Sequence, residues 1–240
     1  MKIKNFSMLL ILILCISAFQ PSFAVLGKTD GIWNDVAFFG DSTTHGMIRY
    51  IVNAKDSEAL PHVSLHRDQI LTPPNGTFYL RNTPTTHILY QGQIMPINNA
   101  LRLANPRVLI VTVGVNGLAH WEKESFTVLY NRLLDVFAEA LPQSQIFLQS
   151  IYPTAKKRAP HLSLFTVERV DLVNGWIEDI AKQRGLLYIN TADYLKGEDG
   201  WLRSEYQNGD GLHLNTAGFH CVLQTIEAAL IQLKGNGGNQ

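Results

Sequence analysis

The chain has 240 residues, with 20 basic side chains balancing 20 acidic ones and 46% hydrophobic residues. Such a balance leaves no basic footprint for nucleic acid or for an anionic membrane surface. The length suits one large domain with a substantial core.

The first stretch is set apart before any fold is read. Lys2 and Lys4 make a basic start, residues 8–19 are almost wholly apolar, and Ser22-Phe23-Ala24 offers small residues where a signal peptidase cuts. The apolar run is shorter than the ~20 residues of a membrane-spanning helix. Residues 1–24 are therefore expected to be a secretory signal peptide, with the protein exported to the periplasm or the extracellular space and no stable membrane insertion after cleavage. Bulky Leu14 ahead of Cys15 argues against a lipoprotein site. Cleavage leaves Cys221 as the remaining cysteine, in an apolar helical pattern that reads as a small buried hydrophobe.

The rest alternates strand-like and helix-like segments. Residues 36–39 form a short apolar run stopped by Gly40, and a helix can follow over 43–54. Residues 63–71 alternate weakly, as a strand. Residues 96–104 read as a short helix ending before Pro106. Residues 107–113 (RVLIVTV) give the clearest strand, stopped by Gly114. Residues 122–141 carry Phe126, Leu129, Tyr130, Leu133, Leu134, Phe137 and Leu141 on one helical face. A strand over 145–151 precedes a loop rich in Lys, Arg and Pro over 154–161. An amphipathic helix over 167–184 stops at Gly185, a last strand follows over 186–190, and Asn215 can cap a final helix through Leu233. The glycine- and asparagine-rich residues 235–240 read as a disordered tail, leaving 25–234 as one domain. The alternation predicts an α/β fold: a three-layer α/β/α sandwich around a central, mostly parallel five-stranded sheet of flavodoxin-like kind. Sites in such sheets form beyond the carboxyl ends of the strands.

Four short stretches fall where that rule looks for chemistry. Gly40-Asp41-Ser42 follows the first strand and sets a hydroxyl at a helix N-terminus. Asp210-Gly211-Leu212-His213 puts a carboxylate three residues before an imidazole, so that it can accept from Nδ1–H and leave Nε2 facing a nucleophile. Gly114-Val115-Asn116 follows the clearest strand and offers a carboxamide. Pro74-Asn75-Gly76-Thr77 offers a backbone amide, and Gly92 in Tyr90-Gln91-Gly92 is a second source of the same donor. Each piece alone has a plain structural reading: Ser42 as a helix cap, Asn116 and Gly76 as turn residues, Asp210 and His213 as a surface loop. Together they supply nucleophile, base, base-orienter and oxyanion donors for acyl transfer.

Taken together, the four stretches resemble the SGNH (GDSL-type) hydrolase family of esterases, from Phe38 to about Leu233. The resemblance implies Ser42 as nucleophile, His213 as base and Asp210 as its partner. It also implies an oxyanion hole formed by Ser42, Gly76 and Asn116, with Gly92 in reserve for Gly76. No metal or cofactor is implied. The expected substrate is a small-molecule or glycan ester carrying a short acyl or acetyl group, with a carbohydrate or peptidoglycan as the expected carrier. Lipid esters are the runner-up. Two residues depart from the family pattern: Thr43 replaces an aliphatic residue, and Gly117 stands where aspartate is usual. Two non-catalytic readings stay open. One is a phosphate cradle over residues 41–46, as in flavin-binding proteins of this architecture; the other is a carbohydrate-binding member of the fold without turnover. The remaining histidines show no metal-ligand spacing. Trp33, Trp121 and Trp201 are either sugar platforms or core residues.

Overall fold

The computed structural model describes residues 31–54 and 63–237; the expected signal peptide lies outside them. Strands β1 (Val36–Gly40), β2 (Ile70–Leu71), β5 (Val108–Thr112), β6 (Gln145–Gln149) and β7 (Leu187–Ile189) form one parallel sheet in the order β2-β1-β5-β6-β7. Alternation along β1 explains why its residues are buried on both sides. Ala37 and Phe39 point into one core, while Val36 and Phe38 point into the other. β5 does the same, with Leu109 and Val111 on the first side and Ile110 on the second. A parallel strand covered on both faces reads as a continuous apolar run, which is what both segments show.

The first core is closed by helices α2 (Ile97–Ala104), α3 (Lys123–Ala140) and α4 (Val167–Arg184), whose buried residues include Leu101, Phe137 and Ile177. The second is closed by α1 (Ser42–Met47), α5 (Ala192–Leu195) and α6 (Thr216–Gly237), with Met47, Leu195, Phe219 and Ile226 facing the sheet. This is the expected three-layer sandwich. Gly185 ends α4 in the left-handed conformation at φ +65°. Among the described residues, no helix is long and apolar enough to cross a membrane.

Several boundaries differ from expectation, each for a physical reason. The strand expected over 63–71 shrinks to Ile70–Leu71, after a 3-10 turn at Arg67–Gln69. The Gln69 carboxamide there donates to the carbonyls of Trp33 and Val36 at 2.6 and 2.7 Å, tying this segment to the start of β1 by a side chain instead of a ladder. α1 is short and passes directly into a π-helical turn at Ile48–Val52. A separate antiparallel hairpin, β3 (His87–Tyr90) with β4 (Gln93–Pro96), was not expected. It turns on Gln91 and Gly92, both at positive φ (47° and 74°), as a two-residue hairpin loop requires. α6 runs on to Gly237, into the segment expected to be a disordered tail. Cys221 is half-buried, its Sγ 3.6 Å from the carbonyl of Tyr194.

The chain moves from β1 to β2 on one side and later to β5 on the other. The strand order therefore reverses between β1 and β5, and a crevice opens at their carboxyl ends. Ser42 leaves β1 at that crevice, and the loop carrying Asn116 leaves β5 there.

Candidate active site

Asp41 sets the position of Ser42. Its carboxylate caps α1: Oδ1 accepts from the backbone N–H of Thr43 at 3.0 Å and from the Thr43 hydroxyl at 2.7 Å. Asp41 is buried, and Oδ2 has no hydrogen-bond partner. Burial pushes its pKa up to about 6, against the opposing pull of the Thr43 bonds, the His213 charge and the Gly114 amide. Thr43, the departure from the family pattern, thus changes hydrogen bonding as well as packing. Ser42 begins the helix, where backbone N–H groups have no acceptor within the helix and stay available to an anion. A phosphate cradle over 41–46 does not fit this arrangement, since a buried carboxylate already occupies the capping position.

The loop before α6 delivers the imidazole. Gln207 and Leu214 pair as an antiparallel bridge, and the Asn208 N–H donates to the His213 carbonyl at 3.0 Å. Asn215 clamps the loop base: its Nδ2 donates to the carbonyls of Glu205 (2.8 Å) and Gln207 (3.1 Å), and its Oδ1 accepts from Gly218 N–H at 3.0 Å. Inside this frame Asp210 Oδ1 accepts from the N–H groups of Leu212 (2.7 Å) and His213 (2.9 Å). Its Oδ2 lies 2.7 Å from His213 Nδ1. The other ring nitrogen, Nε2, lies 2.9 Å from Ser42 Oγ. Partial burial works to raise the Asp210 pKa, but the His213 backbone and ring bonds, the Leu212 amide and the His213 charge outweigh it and hold it below the usual value. A carboxylate that stays ionised favours the Nδ1–H tautomer, in which Nε2 can accept a hydrogen bond from the Ser42 hydroxyl.

Asn116 follows β5, the strand beside β1, at the same carboxyl edge of the sheet as Ser42. Its Nδ2 donates to the Phe78 carbonyl at 2.9 Å. A carboxamide nitrogen has two hydrogens, so one bond orients the group and the other hydrogen remains for an oxyanion. Gly76 lies in the same segment as Phe78 and packs on α1, but its N–H donates to the Pro73 carbonyl at 2.8 Å. The amide expected to be an oxyanion donor is already engaged in a turn. What the position requires of glycine is conformational: φ is +72°, and a Cβ would come within 2.9 Å of the His45 ring. Gly92, the reserve donor, sits at the exposed hairpin turn, where a Cβ would meet nothing within 4 Å.

Some of the residues that support this site are not singled out by any motif. The His45 Nδ1 pairs with the Thr72 hydroxyl at 2.8 Å beneath the Gly76 turn, and burial followed by the Arg67 charge lowers its pKa. Trp121 Nε1 donates to the Gly114 carbonyl at 3.1 Å, and Arg169 donates to the carbonyls of Leu118 (2.7 Å) and Trp121. These bonds brace the loop carrying Asn116. Gly117 explains its own departure from the family pattern: φ is +95°, and a Cβ would lie 3.1 Å from the Trp121 ring. The indole occupies the space an aspartate would need. Trp33 and Trp121 are buried, and the Arg158 guanidinium covers Trp201 at 4.3 Å from the ring centre. Trp33 and Trp121 therefore present no ring for sugar stacking, and one face of Trp201 is taken by Arg158. Among the described residues no group of three or more His, Cys, Asp or Glu could hold a metal ion.

An open cleft of about 550 Å³ begins at His213 and runs between the 207–212 loop and residues 157–162. Another cleft, about 320 Å³, lies by Val36 and Val108 at the opposite, amino-terminal edge of the sheet.

Residues 38–220 match the GDSL-like Lipase/Acylhydrolase family. No curated protein was found to match the sequence. Solved structures share the fold at low identity. A GDSL-like lipase from Bacteroides thetaiotaomicron superposes with a TM-score of 0.55 at 17% identity, covering 82% of this chain and 88% of the other. A family 3 carbohydrate esterase from Clostridium thermocellum gives 0.53 at 17% identity, covering 82% and 97%. A family 3 carbohydrate esterase from Talaromyces cellulolyticus gives 0.52 at 14%, covering 84% and 98%. The family match spans the strand before Ser42, the Asn116 loop and the His213 loop, so the chain belongs to the GDSL-like lipase/acylhydrolase family and is an ester-hydrolysing enzyme.

Proposed function

We propose that this protein is an exported serine esterase that removes short O-acyl groups, acetyl above all, from a polar alcohol of carbohydrate type. The observation that carries the mechanism is the position of His213, with Asp210 at 2.7 Å on one ring nitrogen and Ser42 at 2.9 Å on the other. Ser42 Oγ attacks the ester carbonyl as His213 Nε2 takes its proton. The Ser42 N–H and the free Nδ2 hydrogen of Asn116 hold the tetrahedral oxyanion. His213 returns the proton to the leaving alcohol, and an acyl-serine remains. Water, activated by the same imidazole, then attacks the acyl-serine, and the acid leaves as Ser42 regains its proton. Asp210 stabilises the imidazolium in both halves. Gly76 shapes the hole by its turn and donates only if it shares or releases its bond to Pro73.

The charged and amide side chains of the cleft support a polar alcohol: Lys157, Arg158, Asp210 and Gln207 line it beside Ala159, Leu162 and Leu212. The carbohydrate esterases of like fold point the same way by analogy. Export rests on the basic, apolar and small-residue pattern of residues 1–24. The decisive experiment measures hydrolysis of p-nitrophenyl esters from acetate to long-chain acyl groups by the parent and Ser42→Ala proteins. The parent should be fastest on acetate, and the alanine variant should lose several orders of magnitude in kcat. A fluorophosphonate probe should label Ser42. Ordinary turnover by Ser42→Ala would overturn the mechanism, and a rate that climbs with chain length would replace acetyl by lipid esters.

A further inference from the structure

Resting on the esterase reading above, we propose that the alcohol part of the substrate carries an anionic group, a carboxylate or a phosphate, which Lys157 and Arg158 hold in the cleft beside His213. The general base must return its proton to the leaving oxygen, so the departing alcohol lies against the His213 ring. The oxyanion donors, the Ser42 N–H and Asn116, belong to the ends of β1 and β5, and neither residue lines this cleft. The cleft that starts at His213 is therefore the alcohol side of the site, and its far wall is basic: Lys157, Arg158 and His161.

That wall is locked to the catalytic loop. Ala155 N–H donates to the Gly211 carbonyl at 2.8 Å, and a Cβ on Gly211 would come within 2.7 Å of the Arg158 Cβ. The Arg158 side chain is fully ordered by backbone carbonyls: Nε donates to Leu162 (2.8 Å), Nη1 to Ala155 (3.3 Å) and Lys156 (3.1 Å), and Nη2 to Ser163 (3.1 Å). Carbonyl acceptors fix a guanidinium without cancelling its charge. Among the described residues neither Arg158 nor Lys157 forms an ion pair, whereas the neighbouring Lys156 reaches Asp199 at 3.4 Å. Asp210 is the acidic side chain lining this cleft; it keeps its charge, but its oxygens are committed to His213 and to two backbone amides and bond neither basic side chain. Lys157 and Arg158 together outweigh that single carboxylate and leave the cleft a net positive field, with Arg158 pre-ordered and Lys157 exposed and able to reach.

The test compares esters that share one leaving hydroxyl: an O-acetylated methyl hexuronate, its uncharged uronamide twin, and the matching acetylated sugar phosphate. At low ionic strength the parent should show kcat/KM for the uronate about tenfold above that for the uronamide, carried by KM and falling as salt is added. Lys157→Ala should bring the ratio close to one, and Lys157→Glu should invert it, with circular dichroism confirming that both variants fold. A phosphate ester that exceeds the uronate would identify phosphate as the recognised anion. Equal rates for charged and uncharged twins, or a preference that survives Lys157→Glu, would overturn the proposal. A second readout separates it from the esterase reading. In NMR titrations the deacetylated uronate should shift amide signals of 157–161 and 210–213 more than the uronamide does. If no ester is hydrolysed but this difference appears, the esterase reading fails and the anion site stands; if esters are hydrolysed and it does not appear, the anion site falls alone.

Discussion

Ser42 Oγ and His213 Nε2 meet at 2.9 Å across 171 positions of sequence. Neither side chain is held by the other. Ser42 is placed by the end of β1 and by Asp41 capping α1, while His213 is placed by the Gln207–Leu214 bridge and the Asn215 clamp. Two independently fixed elements converge at the sheet edge, and so the pair is organised before any substrate arrives.

Asp210 has two jobs that substitution can separate. Asp210→Asn keeps an oxygen for the Leu212 and His213 amides but sets an NH2 group against Nδ1, which favours the wrong imidazole tautomer. The expected result is a fall in kcat of about two to four orders of magnitude with an unchanged melting temperature. Asp210→Ala removes the loop bonds as well and should lower both. The bonds that depress the Asp210 pKa keep its carboxylate ionised below the usual carboxylate range, so the pairing with Nδ1 persists in mildly acidic solution. Steady-state kinetics with thermal melts check both variants. An Asp210→Asn enzyme as fast as the parent would make the pairing incidental.

The Asn116 loop gives a second contrast. Asn116→Ala removes a carboxamide oriented by Phe78 and should lower kcat by about two to three orders of magnitude with little change in KM. Gly117→Asp, which installs the family's usual residue, meets φ +95° and the Trp121 ring. It should cost roughly 1–3 kcal/mol of stability and disturb Asn116 through the shifted loop. Chemical denaturation and kinetics on both variants separate the chemical effect from the packing effect. A Gly117→Asp protein as stable as the parent would show that Trp121 yields easily.

Glycine substitutions distinguish two turns that look alike in sequence. Gly76→Ala must place a methyl group against the His45 ring at φ +72°, beside the segment that orients Asn116. Activity and stability should both fall. Gly92→Ala has the same positive φ but open space around it, so about 1 kcal/mol of stability should be lost with no change in rate. Activity assays with thermal melts check this. Loss of activity at Gly92 alone would mean the hairpin reaches the site.

Much of this organisation was legible because it is local. The buried strands read as apolar runs, α4 ends at Gly185, and Asp210 reaches His213 within one turn of chain. What escaped depends on contacts distant in sequence or on a turn with weak composition. Gln91-Gly92 lacks the asparagine or aspartate that usually marks a two-residue hairpin, so β3 and β4 went unread. β2 is short because Gln69 bonds to carbonyls near β1, a link between residues 33 or 36 apart that no periodicity reveals. The engagement of the Gly76 amide by Pro73 is likewise a matter of turn geometry, and an interval between motifs carries no such information.

Asp41 offers a prediction in which the sign matters. Its folded pKa is about 6 against an ordinary value of 3.8, because burial penalises the charged form. A carboxyl group raised on folding binds its proton more tightly in the native state than in the unfolded one. Stability therefore falls as pH rises through the interval from about 3.8 to about 6, and the loss is complete above it. From this group alone the loss is on the order of 3 kcal/mol. Asparagine keeps an oxygen able to cap the Thr43 N–H and cannot ionise. Denaturant unfolding of the parent and Asp41→Asn should thus show a stability difference that shifts in favour of the variant across this window and is flat above it. The depressed Asp210 pKa acts in the opposite sense, with stability lost as pH falls through its folded value, but it is common to both proteins and cancels in the difference. A difference independent of pH would show that Asp41 ionises freely in the native state, and that its unpartnered oxygen finds compensation elsewhere.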